Sequence, residues 1–151
     1  LTQKHGVPLF GVVSNMSIAA QRRDFLQKFD CFICNQQEAG QLFLDDYSHV
    51  TPDEMCDILQ EKVLQAQFPA MVVTMGGKGA VYADREGGRG FCPARNVVVK
   101  DTTGAGDSFS GALLYAMTEG FTMKQGIQLA ARCAAKTCEI CGPHGFWTLE
   151  G

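Results

Sequence analysis

The chain has 151 residues, enough for one domain with a sizeable core. Hydrophobic residues make up 46% and charged residues 19%, which excludes a disordered chain. A net charge of −3 argues against a nucleic-acid partner, since a general binder would normally carry a basic patch. No apolar run approaches a membrane-spanning helix, so no membrane partner is expected, and no stretch reads as a signal peptide. The seven cysteines are an odd number scattered through predicted strands and helices. They suit buried thiols in a reducing, cytoplasmic setting better than a disulfide framework.

Residues 1–5 read like the tail of a helix closed by Gly6, so a segment preceding Leu1 is expected. Residues 7–13 form a continuous apolar run, the pattern of a strand buried on both faces. Ser17 is placed to cap a helix reaching Lys28, with Phe25, Leu26 and Phe29 apolar near its end. Residues 31–34 read as a second buried strand ending at Asn35, followed by a short helix over 36–43. Thr51, Pro52 and Glu54 are a capping threonine, a first-turn proline and a glutamate three residues after the cap. Met55, Ile58, Leu59, Val63 and Ala66 then share one helical face. Residues 70–74 predict a third buried strand, Gly76 to Gly79 a turn, and residues 80–83 a strand completing a hairpin. Residues 85–90 read as a charged, glycine-rich loop, and residues 96–100 as a strand.

That strand enters Asp101-Thr102-Thr103-Gly104-Ala105-Gly106-Asp107, and a helical pattern leaves it, with Phe109, Leu113 and Met117 on one face beside Ala112 and Ala116. Small residues at a helix N-terminus leave unpaired N–H groups and a partial positive charge open to a phosphate. Asp107 is the odd residue there, because a carboxylate repels such a ligand. It is explained if it takes a proton from a hydroxyl attacking that phosphate. The plainer reading is a favourable charge in a first helical turn. Gly120 ends this helix, and Thr122 with Gln125 begins another whose apolar face is Ile127, Ala130, Ala131, Ala134 and Cys138.

Strands alternating with helices predict an α/β fold: a mostly parallel central sheet with helices on both faces. Ligands then bind beyond the carboxyl ends of the strands, where Asn35, Thr74 and Asp101 lie, so these stretches are expected to converge on one crevice. Two Cys-x-x-Cys pairs, Cys31 with Cys34 and Cys138 with Cys141, would suit zinc by residue type. Most of the chain separates them, and one lies in a strand where alternate residues face opposite ways. Zinc is therefore not expected. His5, His49 and His144 share no ligand spacing and read as surface or loop residues.

The string from Asp101 to Asp107 resembles the second signature of the ribokinase-like, or PfkB, family of carbohydrate and nucleoside kinases. The resemblance runs from residue 7 to the last helix, and it corresponds to the C-terminal half of a family about twice this length. It implies a ribokinase-like three-layer α/β/α sandwich, incomplete here, without the N-terminal half and its lid. An exposed strand edge is then expected, and with it oligomerisation or pairing with the missing segment. The implied activity moves the γ-phosphate of ATP to a hydroxyl of a sugar or nucleoside, with ATP and Mg²⁺ required. By resemblance Asp107 is the general base, and the amides of Gly104, Ala105 and Gly106 form an anion hole. Asn35, in an Asn-x-x-Glu pattern, approaches the nucleotide phosphates, and Glu38 organises Mg²⁺ through water. Read without that resemblance, the pair is a helix cap with its N3 glutamate. Thr74, Gly76, Gly77, Lys78 and Gly79 resemble the nucleotide-binding turn, although without it they read as a glycine-rich hairpin. They do not form a P-loop. Asp101 and Thr103 are implied ligands of a monovalent cation, typically potassium, and the residues flanking adenine fall near Arg132 to Lys136. The acceptor itself is not encoded in these motifs. A non-catalytic nucleotide-binding or assembly module remains the alternative. A dinucleotide-dependent oxidoreductase is weaker, because the third glycine after Gly104 and Gly106 is missing.

Overall fold

The computed structural model describes residues 9–12, 20–95 and 105–139. Contacts divide the chain into two compact units, residues 1–76 with 80–91 and residues 77–79 with 92–151, and each is described by itself. Among the described residues there are five strands, β1 (Phe10–Val12), β2 (Cys31–Asn35), β3 (Ala70–Thr74), β4 (Gly79–Asp84) and β5 (Arg89–Pro93), lying side by side in that order. β1, β2 and β3 are parallel, and β4 returns antiparallel to β3 with Ala70 opposite Asp84 and Thr74 opposite Ala80. The hairpin is therefore as the sequence predicts.

Two strand expectations need correction. β1 is not buried on both faces: Phe10 and Gly11 are half-buried and Val12 is exposed. Its apolar run reads like a central strand, yet among the described residues it stands at the edge of the sheet and pairs with β2. Residues 85–90 are not simply a loop, because β5 begins at Arg89. Only the first part of that stretch turns. Asp84 Oδ1 accepts from the N–H groups of Glu86 (3.0 Å) and Gly88 (2.8 Å), an Asx-type closure that starts the next strand early. β5 then alternates exposed and half-buried residues, the period of a strand at a sheet edge, where Pro93 is tolerated.

Among the described residues the first unit's helices are α1 (Arg23–Leu26), α2 (Gln36–Phe43) and α3 (Pro52–Ala66). The expected cap at Ser17 lies outside the described residues. α3 starts on the predicted box: Thr51 Oγ1 accepts from Glu54 N–H (3.3 Å) and Glu54 Oε2 from Thr51 N–H (2.9 Å). Met55, Leu59 and Val63 are fully buried, while Ile58 and Ala66 pack partly buried against the same core. That core joins the strand residues Phe32, Met71, Val73 and Val81 to Leu42 of α2 and to Phe68. Phe32 and Phe68 meet edge to face with ring centroids 5.1 Å apart.

The second unit contains α4 (Ala105–Thr118) and α5 (Met123–Glu139). Phe109, Leu113 and Ala116 of α4 and Ile127 and Ala130 of α5 are buried, the faces read from the sequence. Thr122 and Gln125 close the expected box, with Thr122 Oγ1 accepting at 3.2 Å and Gln125 Oε1 at 3.1 Å. A Cβ on Gly126 would lie 2.9 Å from Leu113 Cδ1 and 3.4 Å from Ala116 Cβ, so the helices pack closely there. The predicted strand over 96–100 lies outside the described residues.

Candidate functional site

β2 and β3 run parallel and in register, so Asn35 and Thr74 end their strands side by side. Burial stops at these positions: residues 31–34 are buried and Asn35 is exposed, residues 70–73 are buried and Thr74 is half-buried. This is the carboxyl edge where α/β sheets bind ligands. A cleft of about 910 Å³ opens there, lined among others by Asn35, Gln36, Tyr47, Thr74 and Gly76. The structure thus brings Asn35, Thr74 and Gly76 together.

Asn35 and Glu38 do form a reciprocal cap on α2. Asn35 Oδ1 accepts from Glu38 N–H at 2.8 Å, and Glu38 Oε2 accepts from Asn35 N–H at 2.7 Å. The plain reading of this pair is therefore realised. It does not exhaust the pair, because a carboxylate offers about four lone-pair sites and the cap uses one. An amide and a carboxylate are hard oxygen donors of the kind that magnesium and its waters take. The donor set fits that ion.

Gly76 begins the one-turn 3₁₀ segment Gly76–Lys78, the predicted turn after β3. A Cβ at Gly76 or Gly77 would meet nothing within 4 Å, so both present bare backbone to open space, as a close-approaching phosphate needs. Gly79 is glycine for another reason. Its φ is +121°, and a Cβ would stand 2.1 Å from the Cys92 carbonyl oxygen. Its assignment to the nucleotide is thus not needed to explain it. Lys78 is exposed.

In the second unit α4 is described from Ala105, within the signature string. Gly106 and Asp107 are exposed in its first turn, and a Cβ on Gly106 would again meet nothing within 4 Å. Gly104, Asp101 and Thr103 lie outside the described residues. A second hollow of about 530 Å³ in this unit is lined by Cys92, Pro93, Ala94, Arg95, Gln128, Ala131 and Arg132. It includes one end of the stretch expected near adenine.

These features coincide with a family assignment. Residues 1–144 match the pfkB family of carbohydrate kinases. The chain belongs to that family. It is 37% identical over 137 residues to the guanosine-inosine kinase of Exiguobacterium acetylicum, covering 90% of this chain and 44% of that protein. To the ribokinase of Lactococcus lactis it is 30% identical over 108 residues, covering 68% of this chain and 36% of that one. The structure of Arabidopsis thaliana ribokinase complexed with ribose and ATP superposes with a TM-score of 0.79 at 25% identity, over 92% of this chain and 44% of its own. The fold is accordingly ribokinase-like, an incomplete α/β sandwich, and the chain spans less than half the length of these relatives.

Family membership leaves several lining residues unexplained by the motifs. Tyr47 and its neighbours reach the cleft because the chain turns back after α2. Leu44 takes a left-handed conformation, and Gly40 lets the Asp45 carbonyl approach to where a Cβ would be 2.6 Å away. Gln36 Nε2 donates to the Tyr47 carbonyl across this turn. Burial pushes the Tyr47 phenol up to about 12, with Asp45 and Glu61 adding to it, so it stays protonated. Cys31 and Cys34 are buried in β2; burial raises Cys31 to about 12 and Cys34 well above its ordinary value. Cys141, His5 and His144 lie outside the described residues, and His49 is exposed. No described helix is long and apolar enough to cross a membrane.

Proposed function

We propose that the protein transfers the γ-phosphoryl group of ATP to a hydroxyl of a sugar or nucleoside. The observation that carries this reading is the carboxylate of Asp107, exposed in the first turn of a helix whose N-terminal residues are small and uncrowded. The acceptor oxygen forms a bond to the γ-phosphorus as the bond to the β–γ bridging oxygen breaks. ADP leaves with that electron pair, and the acceptor's proton passes to the Asp107 carboxylate. The N–H groups of Ala105 and Gly106, with Gly104, face charge that grows on the transferring group, the role of an anion hole.

Asn35, Thr74 and the bare backbone of Gly76 and Gly77 hold the nucleotide, and Glu38 orients the waters of Mg²⁺. When bound, that ion neutralises charge on the phosphates. The hollow at Gln128, Ala131 and Arg132 takes the base of the nucleotide. Asp101 and Thr103 hold a monovalent cation. The relatives named for guanosine-inosine and for ribose make a nucleoside or pentose the first acceptors to try.

The test is ATP turnover by the protein at its full natural length with a panel of sugars and nucleosides. Acceptor-dependent turnover that falls by about 10²–10⁴-fold in Asp107→Asn, with ATP binding retained, is expected. ATP binding indifferent to every acceptor would instead identify a non-catalytic nucleotide-binding module.

A further inference from the structure

Next to Asp107 in the chain stands a buried polar contact that the phosphotransfer reading does not use. Ser108 Oγ and Thr137 Oγ1 lie 2.6 Å apart, and both residues are almost fully buried. Thr137 Oγ1 donates to the Cys133 carbonyl one turn back, at 3.1 Å. A hydroxyl has one proton, so when Thr137 donates to Cys133 the short contact is filled by the proton of Ser108, and either oxygen can serve as its donor. The two hydroxyls thus partner each other across the helix pair, and losing either leaves the other without that partner.

The position of this contact matters more than its existence. Ser108 is the fourth residue of α4, in the turn that frays first in a helix without an anchor. Gly126 against Leu113 and Ala116 holds the same two helices together two turns further along α4. The hydroxyl pair does so at the end that carries Asp107. Adjacent residues on a helix are turned by about 100°. Fixing Ser108 inward therefore fixes the outward direction of Asp107, and holding this turn in place also holds the Gly106 amide before it.

We propose that Ser108 and Thr137 are positioning residues for phosphoryl transfer, their buried hydrogen bond setting the rotation and order of the first turn of α4. The inference rests on the reading of Asp107 as the base. A misplacement of about 1 Å at a reacting group lowers turnover by as much as about 10²-fold, so the contact has kinetic consequences out of proportion to its size.

Thr137→Val keeps the shape of the side chain and removes the acceptor, and Thr137→Ser keeps the hydroxyl. Both are measured in the protein at full natural length beside wild type, Asp107→Asn and Ser108→Ala. In Thr137→Val and Ser108→Ala, kcat per folded molecule, with the folded fraction taken from thermal melts, is expected to fall about tenfold or more. KM for ATP stays within about twofold, and Thr137→Ser retains at least half of wild-type kcat. If Asp107→Asn abolishes turnover while Thr137→Val and Ser108→Ala keep wild-type kcat, only the positioning role is overturned. If Asp107→Asn retains turnover, the base assignment fails and the positioning role with it. Variants that lose folded protein but keep kcat per folded molecule would show a purely structural bond and also overturn the proposal.

Discussion

The two units place their candidate groups by different means. In the first, Asn35 and Thr74 are fixed by strand register over a core of large side chains, Phe32, Phe68, Met55 and Met71 among them. In the second, Asp107 sits on a helix that packs on α5 through Phe109, Leu113, Ala116 and Ile127, with Gly126 at the close approach and a buried hydroxyl contact at Ser108. A sheet distributes its positional information over many hydrogen bonds and contacts. In the helix pair, the turn that carries Asp107 is tied by the buried Ser108 contact. Stability and catalytic geometry should therefore be separable by mutation in the second unit and inseparable in the first.

Phe68→Ala is the strongest way to break that contrast. The side chain is fully buried against Phe32 and Phe43, so its removal should lower stability by about 3–5 kcal/mol in a denaturant titration. A loss below about 1 kcal/mol would mean that the first unit is not organised around this core.

Alkaline pH is expected to act next. Burial raises the folded-state Cys31 thiol from about 9 to about 12, so the unfolded chain releases its proton first. The stabilisation is fully present below about pH 9 and is lost as pH rises through the window to about pH 12. At about pH 10.5 it amounts to roughly 2 kcal/mol from this residue, with Cys34 acting in the same direction. Thermal melts across that range should fall, and fall less steeply in Cys31→Ala. An unchanged slope in the variant would remove the buried thiol as the cause.

Gly126→Ala should be the smallest change. The added Cβ meets the flexible end of Leu113 at 2.9 Å, while alanine gains helix propensity of about 1 kcal/mol over glycine. The two effects nearly cancel, and a melt within a few degrees of wild type is expected. A large loss would show that the helix pair is packed more rigidly than one side-chain end can relieve.

Much of this was legible because it is local. The boxes at Thr51 and Thr122 are written in four consecutive residues, and each appears as read. The buried strands β2 and β3 are continuous apolar runs, so their ends located the carboxyl edge of the sheet. Asn35-x-x-Glu38 was ambiguous for a physical reason: a helix cap and an oxygen-ligand pair demand the same residue types at the same spacing. What stayed hidden is non-local. β5 was masked by charged and glycine residues whose strand character comes from pairing with β4. The Tyr47 side of the cleft depends on the chain turning back over Gly40. Ser108 and Thr137 stand on different helices 29 residues apart, and only the packing of α4 on α5 joins them.

In the proposed function the strand-end residues of the first unit and the first turn of α4 in the second both respond to nucleotide. Backbone amide shifts followed by NMR during titration with Mg²⁺ and a non-hydrolysable ATP analogue test it most directly. Asn35, Gly76, Gly77 and Gly106 should all respond with one dissociation constant, while Gly87, in the turn between β4 and β5, stays still. Saturable shifts confined to one of the two groups, or no shifts at all, would contradict the account.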